Sequence, residues 1–121
     1  MIAVAGGVVR RGDRILIYKR PEGKRYAGLW EFPGGKLEEG ESPEEALARE
    51  LREELALKVR VGGVLDALRE GDILLLFYEC FTEGDPVEQE MGEARFVKPE
   101  ELKGYEFAPM DTRFLKRRGW L

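Results

Sequence analysis

The pattern of apolar and polar positions in the first third of the chain predicts strands joined by turns. Small and β-branched residues predict a strand at 2–10, and the alternation at 14–19 predicts its antiparallel partner after a turn at 11–13. Residues 20–29 contain one proline and two glycines and therefore predict a loop. Pro33 holds the short segment before it extended, because proline disfavours a helical conformation in the preceding residue.

A helix is predicted next, and it is the best-signalled element of the chain. Ser42 is a candidate N-cap, Pro43 suits the first helical position, and Glu45 completes a capping box. Leucines spaced four residues apart form an apolar stripe that can seat the helix on a core. These leucines are Leu47, Leu51 and Leu55. We expect the helix to end near residues 55–57.

The remaining pattern predicts three strands and two short helices. The strands lie at 58–68, with a bend or bulge at Gly62–Gly63, at 73–81 and at 93–97, and the helical segments lie at 99–102 and 110–117. The strand at 73–81 is the most apolar, and we expect it to be central. The order of elements predicts an α+β fold with a mixed sheet, in a single domain covering residues 1–121.

Composition narrows the functional classes. The chain has no histidine, which removes Ser-His-Asp triads and histidine-ligated zinc. Its single cysteine, Cys80, lies in the most apolar predicted strand, which favours a buried structural thiol. No apolar run is long enough for a membrane span, and no basic leader precedes the first strand, so we expect a cytoplasmic protein that contacts no membrane.

Charge is distributed unevenly along the chain. The net charge of −4 argues against affinity for nucleic-acid polymers. Basic residues are nevertheless concentrated between positions 10 and 25. This concentration suits a small polyanion such as the phosphate chain of a nucleotide, and solvated charges at a sheet edge are the alternative.

The central helix carries the most suggestive chemistry. Glu50, Glu53 and Glu54 fall within about 100° of its circumference, and no Lys or Arg at helical spacing is expected among them. Crowded carboxylates repel each other, and a hard cation such as Mg²⁺ would turn that cost into a binding site. The alternative is an ordinary solvated acidic face.

Residues 35–57 resemble the signature of the Nudix hydrolases, Gly-x5-Glu-x7-Arg-Glu-U-x-Glu-Glu-x-Gly-U, where U is a bulky aliphatic residue. Gly35, Glu41 and the run that starts at Arg49 match it, and Ala56 in place of glycine is the one departure. The resemblance implies a curved mixed β-sheet between helices, an α/β/α sandwich. It also implies hydrolysis of a nucleoside diphosphate linkage with Mg²⁺, for which Mn²⁺ can substitute.

The same resemblance implies roles for individual residues. The metal would be held by the carbonyl of Gly34 and by Glu50, Glu53 and Glu54. Glu41 would pair with Arg49 and fix the loop against the helix. The catalytic set comprises the three helical glutamates, of which Glu53 is our first choice as general base, and a loop glutamate. For that loop position we favour Glu90 over Glu93 and Glu88, and a solvated loop acid is the alternative.

Two further segments, LWEFPGGK at 29–36 and FAPMD at 107–111, resemble MutT-type nucleoside triphosphate pyrophosphohydrolases. That subgroup converts a (d)NTP to a (d)NMP and pyrophosphate. Substrate-binding candidates are Arg20, Glu31, Phe32, which could stack on a base, and Asp111, which could accept a hydrogen bond from an exocyclic amine. A core position for Phe32 and a helix cap for Asp111 are the alternatives.

The base preference and the reaction leave alternatives open. MutT has asparagine where Asp111 falls, and an ionised carboxylate only accepts hydrogen bonds, which leaves cytosine- or adenine-type bases open. Hydrolysis of ADP-ribose or of a dinucleoside polyphosphate fits less well, since residues 58–76 lack the proline or tyrosine typical of those branches. A non-catalytic nucleotide-binding domain is the other alternative. The protein is expected to be a monomer or a homodimer.

Overall fold

The computed structural model describes residues 1–87 and 92–121. The strands are β1 (Ile2–Arg11), β2 (Arg14–Lys19), β3 (Trp30–Glu31), β4 (Gly34–Lys36), β5 (Arg60–Glu70), β6 (Ile73–Phe81) and β7 (Glu93–Val97). The helices are α1 (Pro43–Leu55), a 3-10 helix (Pro99–Gly104) and α2 (Pro109–Arg117). Strand β4 is the element that the pattern did not predict. Within the described ranges, no helix combines the length and the apolar character needed to cross a bilayer.

The sheet is mixed, as predicted, and β1 occupies its middle. The strands run in the order β3-β2-β1-β6-β5, with β4 paired to β1 and β7 paired to β2. The β1–β6 pair is parallel, and the other pairs are antiparallel. The prediction that residues 73–81 form the central strand was therefore wrong, since β6 is an inner strand but lies next to the edge strand β5.

The middle strand was missed because close packing against it selects small residues rather than large apolar ones. A Cβ placed on Gly7 in β1 would lie 3.3 Å from Leu47 Cδ1 on α1. A Cβ placed on Gly34 in β4 would lie 1.9 Å from the carbonyl oxygen of Ala5 in β1. Helix and turn thus approach the backbone of β1 directly, and its sequence is less apolar than its position suggests.

Helices cover both faces of the sheet, which confirms the α/β/α sandwich. On one face, the leucines of α1 pack with Val9, Leu16 and Cys80. On the other, Phe114 and Leu115 of α2 pack with Phe32 and Phe77. Cys80 is fully buried, and burial raises its pKa to about 12, so it is the inert thiol that the sequence predicts.

Both ends of α1 follow their signals. Ser42 Oγ accepts from the backbone N–H of Glu45 at 3.1 Å, and the Glu45 carboxylate accepts from the N–H of Ser42 at 2.9 Å, which confirms the capping box. At the other end, Ala56 adopts the left-handed conformation, with φ of 50° and ψ of 35°. A glycine would enter this conformation without strain, whereas alanine enters it against the clash of its Cβ.

Arginines of α2 and of the residue that follows it reach the edge strand β5. Nη1 of Arg113 donates to the carbonyl of Arg69 at 3.4 Å, and Nη1 of Arg118 donates to the carbonyl of Leu65 at 3.3 Å. Arg117 forms an ion pair with Asp66 at 2.8 Å. The register of β5 against β6 shifts between residues 61 and 66, which confirms the bulge expected at the glycine pair.

Candidate active site

A tight glycine turn brings the start of the signature segment against β1. Gly34 and Gly35 pair with Gly6 and Ala5 of β1, and the N–H of Gly7 donates to the Pro33 carbonyl at 2.8 Å. Because a Cβ on Gly34 would collide with the β1 backbone, only glycine fits there.

The second glycine of the turn makes room for a carboxylate. A Cβ built on Gly35 would lie 2.4 Å from the carboxyl carbon of Glu50 and 2.7 Å from each of its oxygens. The Glu50 carboxylate therefore rests directly on the glycine backbone, and its side chain is 18% exposed. The sequence analysis identified both Gly35 and Glu50 but did not predict their contact. The second glycine of the Gly34–Gly35 pair was the feature that could have indicated it.

Arg49 is the hub of the acidic face. It makes a bidentate pair with Glu41, with Nε–Oε2 and Nη2–Oε1 distances of 2.7 Å and 3.0 Å. Its Nη1 also donates to Glu50 at 3.0 Å and to Glu53 at 3.2 Å. Hydrogen bonding from Arg49 lowers the pKa of Glu41, and the same contact raises the pKa of Arg49.

The expectation that no basic residue lies among these acids was therefore wrong. Arg49 precedes Glu50 directly and lies one helical turn before Glu53, which places its long side chain within reach of both. It also donates to the carbonyl of Lys36 at 3.2 Å, so one guanidinium joins α1 to strand β4 and to the loop that carries Glu41.

The donor set fits a hard cation by its chemistry. Glu50 lies on the glycine turn, Glu54 lines the adjoining cavity, and Glu53 is 59% exposed beside Arg49. All of these side chains offer carboxylate oxygens, which Mg²⁺ prefers. In the described part of the chain, however, no three acidic, histidine or cysteine side chains converge as the ligands of one metal ion would.

A cavity of about 330 Å³ opens beside this turn. It brings together residues from the signature segment and residues far from it in sequence. Its lining includes Gly34, Gly35, Lys36 and Glu54, the basic residues Arg20 and Lys24, and Glu31, Phe32 and Asp111. Cationic side chains next to acidic ones suit an anionic ligand that also carries hydrogen-bonding groups. Lys24 and Lys36 were not among the residues singled out from the sequence.

Asp111 is buried on the cavity wall. It is 6% exposed, and its Oδ1 accepts from the backbone N–H of Phe32 at 3.0 Å. Burial raises the pKa of Asp111 to about 7, against the opposing effect of the Phe32 N–H. The helix-cap interpretation was wrong, since the N-cap of α2 is Ala108 and Asp111 is the third helical residue.

This pKa changes what Asp111 can recognise. A carboxyl group that titrates near neutral pH is present in both forms, so it donates a hydrogen bond when protonated and accepts when ionised. Beside it, Arg20 Nη1 pairs with Glu31 Oε1 at 2.7 Å. Burial raises the pKa of Glu31, and the charge of Arg20 opposes that shift. A buried polar cluster therefore forms one side of the cavity.

Phe32 belongs mainly to the core. It is 4% exposed, and its ring lies 5.7 Å from Phe107, 5.6 Å from Phe114 and 6.3 Å from Phe77 between centroids. The core alternative is therefore the one that the packing favours. What Phe32 presents to the polar cluster is its backbone N–H.

The basic residues between positions 10 and 25 lie in two separate places in the structure. Arg20 and Lys24 line the cavity. Arg10 and Arg11 lie at the other end of β1, where they form ion pairs with Glu79 and Asp85. For these two arginines, the alternative of edge charges is the better description.

Of the three candidate loop glutamates, the structure describes only Glu93. Glu90 and its alternative Glu88 lie outside the described residues. Glu93 opens β7 and forms an ion pair with Arg95 at 2.5 Å. The assignment of Glu90 as a catalytic residue stays a prediction.

Comparison with known proteins gives consistent matches over nearly the whole chain. The NUDIX domain family model matches residues 1–117. The CTP pyrophosphohydrolase of Escherichia coli (strain K12) is 39% identical over 121 aligned residues, which cover 96% of this chain and 90% of that protein. An 8-oxo-dGTP diphosphatase of Haemophilus influenzae is 32% identical, with coverage of 97% and 90%.

A solved structure agrees with the sequence matches. The solution structure of the E. coli ORF135 protein superimposes with a TM-score of 0.78 at 36% identity, covering 96% of this chain and 86% of that one. The range matched by the family model, 1–117, includes the glycine turn, α1 and the segment that carries Asp111.

Proposed function

This chain belongs to the NUDIX family, and we propose that it hydrolyses a (d)NTP to a (d)NMP and pyrophosphate with Mg²⁺. The observation that carries the proposal is the Glu50 carboxylate resting on Gly35, a glycine that lines a cavity together with cationic side chains and a buried carboxyl group. Acidic oxygens for a metal, cations for phosphates and a polar group for a base are thus assembled in one place.

The metal would be held by the Gly34 carbonyl and by Glu50, Glu53 and Glu54. Mg²⁺ at such a site neutralises phosphate oxygens and lowers the pKa of a bound water, and Mn²⁺ would substitute for it. Arg49 already neutralises Glu50 and Glu53 in the structure described here. We therefore expect Arg49 to shift towards Glu41 when the metal is bound, because the bidentate contact with Glu41 does not depend on the other two acids.

Side chains of the protein would perform the remaining tasks, which are binding of the phosphates and transfer of the proton. Arg20, Lys24 and Lys36 would bind and orient the phosphate chain. The oxygen of a water molecule forms a bond to phosphorus while the phosphoanhydride bond breaks and pyrophosphate leaves. Glu53, the most exposed of the three proposed glutamate ligands with a side chain 59% accessible, would take up the proton of that water. Glu90 would assist as a further ligand or base.

At the other end of the nucleotide, Asp111 would contact the base. In its ionised form it would accept from an amine such as that of cytosine, and in its protonated form it would donate to a carbonyl. This dual capacity is compatible with the substrates named for both relatives, CTP and 8-oxo-dGTP. The proposal places the protein in the cytoplasm, where nucleoside triphosphates occur.

The test is hydrolysis across a panel of substrates, followed as pyrophosphate release for the triphosphates and by chromatography of the nucleotide products for the others, because those linkages release no pyrophosphate. It would include normal and oxidised (d)NTPs, ADP-ribose and dinucleoside polyphosphates, each with Mg²⁺, with Mn²⁺ and with a chelator. We expect release from triphosphates that depends on the metal and far exceeds turnover of the other two classes. Tight nucleotide binding without release would contradict the proposal and indicate a non-catalytic nucleotide-binding domain.

A further inference from the structure

The aromatic side chains around the site differ greatly in exposure. Phe32, Tyr18 and Phe77 line the cavity beside the glycine turn, and they are 4%, 6% and 0% exposed. Tyr26, in the loop between β2 and β3, is 38% exposed. Stacking on a base requires an accessible ring face, and very little of the three buried rings is exposed.

Tyr26 lines a second cavity, of about 360 Å³, that adjoins the first. The two cavities share part of their lining, including Arg20, Glu31 and Asp111. The second adds Tyr26 and Met110, together with the small residues Gly71, Ala108 and Pro109 and the charged residues Arg25 and Glu70. The buried carboxyl group of Asp111 thus has an exposed aromatic ring and an adaptable thioether next to it, which suits a flat group with a polar edge.

The loop holds Tyr26 in an uncommon conformation. Its φ is 60°, in the left-handed region that bulky residues rarely adopt. The N–H of Leu29 donates to the Tyr26 carbonyl at 3.0 Å, and Nε of Arg20 donates to the carbonyl of Arg25 at 2.5 Å. Arg25 also places its guanidinium 4.8 Å from the centre of the Tyr26 ring. Strained residues held by their surroundings are concentrated at functional sites.

We propose that Tyr26, and not Phe32, stacks on the nucleobase of the substrate, beside Asp111, which contacts the edge of the base. The inference rests on the proposed function, because it assigns a base-binding residue to that site. It explains why a large aromatic side chain occupies a position where glycine would be unstrained. It also means that the loop at 20–29 would bind both ends of the nucleotide. Tyr26 would contact the base, and Arg20 and Lys24, which line the first cavity, would contact the phosphates.

The experiment measures equilibrium binding of a non-hydrolysable nucleoside triphosphate analogue and of inorganic tripolyphosphate, each with Mg²⁺. Tyr26→Gly removes the ring and relieves the backbone, and Tyr26→Phe keeps the ring as the matched control. We expect Tyr26→Gly to raise the Kd for the analogue by about 5- to 100-fold, the range that loss of one base-stacking contact gives. In Tyr26→Gly the Kd for tripolyphosphate should not rise and the melting temperature should not fall. Tyr26→Phe should bind the analogue with the Kd of the parent.

Two outcomes would overturn the inference. The first is a Kd for the analogue that stays within about twofold of the parent in Tyr26→Gly, well below the loss of one stacking contact. The second is an equal loss for tripolyphosphate, which would assign the loop a role in phosphate binding alone. Neither outcome touches the proposed function, because that is tested by turnover in the unaltered protein and binding of the analogue does not require turnover.

Discussion

The acidic face of α1 and the polar cluster around Asp111 differ in the environment that they give to carboxyl groups. On α1, one guanidinium joins Glu41, Glu50 and Glu53, and Glu53 remains 59% exposed. Around Asp111, the carboxyl group is almost fully buried and its pKa rises to about 7. The first region pairs its carboxylates with a guanidinium, which lowers the pKa of Glu41, whereas burial in the second region raises the pKa of a carboxyl group.

This difference matches the tasks that we propose for the two regions. A site for a hard cation needs ionised oxygens, and an arginine can pair with those oxygens without protonating them. A site for a base needs a group that can donate or accept, which burial provides. The comparison therefore predicts that substitutions in the first region affect turnover, whereas substitutions in the second affect stability and base selection.

The largest expected effect comes from Glu53→Gln. Loss of the proposed proton acceptor and metal ligand should lower kcat by about 10²–10⁴-fold, the usual contribution of a general base. The melting temperature should be unchanged, because Glu53 is exposed. Pyrophosphate release is the measurement, and Glu44→Gln, at an exposed glutamate of the same helix, is the control. Unchanged turnover in Glu53→Gln would remove the catalytic assignment.

Asp111→Asn should change the pH dependence of stability. The folded-state pKa of Asp111 is raised, so its contribution is fully present below the unfolded pKa of about 4 and is lost as the pH rises to about 7. The variant does not lose this contribution, so its stability relative to the parent should increase over that window by a few kcal/mol, at about 1.4 kcal/mol per pH unit.

Denaturant unfolding at several pH values between 4 and 8 measures that difference. The substrate ranking of the same variant at pH 6 and pH 8 tests recognition, and it should vary with pH less than that of the parent. A constant stability difference across the window would mean that Asp111 does not titrate there.

Arg49→Lys tests how the acidic face is held together. Lysine keeps the charge but cannot make the bidentate contact with Glu41, so the loop that bears Glu41 should loosen. We expect the Mg²⁺ concentration for half-maximal activity to rise about tenfold, as for other residues that orient metal ligands. Arg52→Lys, at an exposed position of the same helix, is the control and should have no effect.

The smallest effect is expected from a substitution at Ala56, which should leave both the acidic face of α1 and the polar cluster around Asp111 intact. Ala56→Gly relieves the left-handed strain at the end of α1 and should raise the free energy of unfolding by about 1 kcal/mol. Ala48→Gly, inside the same helix, should lower it by about 1 kcal/mol. Kinetic constants should be unchanged in both variants, and chemical denaturation measures the stability.

The sequence predicted the acidic region far better than the polar cluster around Asp111, for a physical reason. A helix with a preceding turn is local, so the spacing of Gly35, Glu41 and Glu50 along the chain largely determines their spacing in space. What the spacing did not reveal was the contact between Gly35 and Glu50, which depends on how β4 pairs with β1. The predicted pairing of Arg49 with Glu41 is confirmed, whereas its contacts with Glu50 and Glu53 were missed because the length of its side chain was not considered.

The polar cluster, in contrast, is assembled from distant segments. Asp111 and Phe32 meet only because α2 packs against the sheet, and no local pattern encodes that contact. The burial that sets the pKa of Asp111 is likewise a property of the whole fold. Tyr26 gave no signal at all, because a positive φ at a tyrosine follows from the hydrogen bonds of its loop rather than from its residue type.

The arginines that reach β5 have a consequence for self-association. Another polypeptide that tried to extend the sheet by aligning with β5 would find the carbonyls of Leu65 and Arg69 already engaged by guanidinium groups. It would also meet the kink left by Gly62–Gly63, which breaks the regular spacing of donors and acceptors. The β5 edge of the sheet is thus poorly suited to pairing with a strand of another molecule, and the protection comes from charged side chains of α2 and of the residue that follows it.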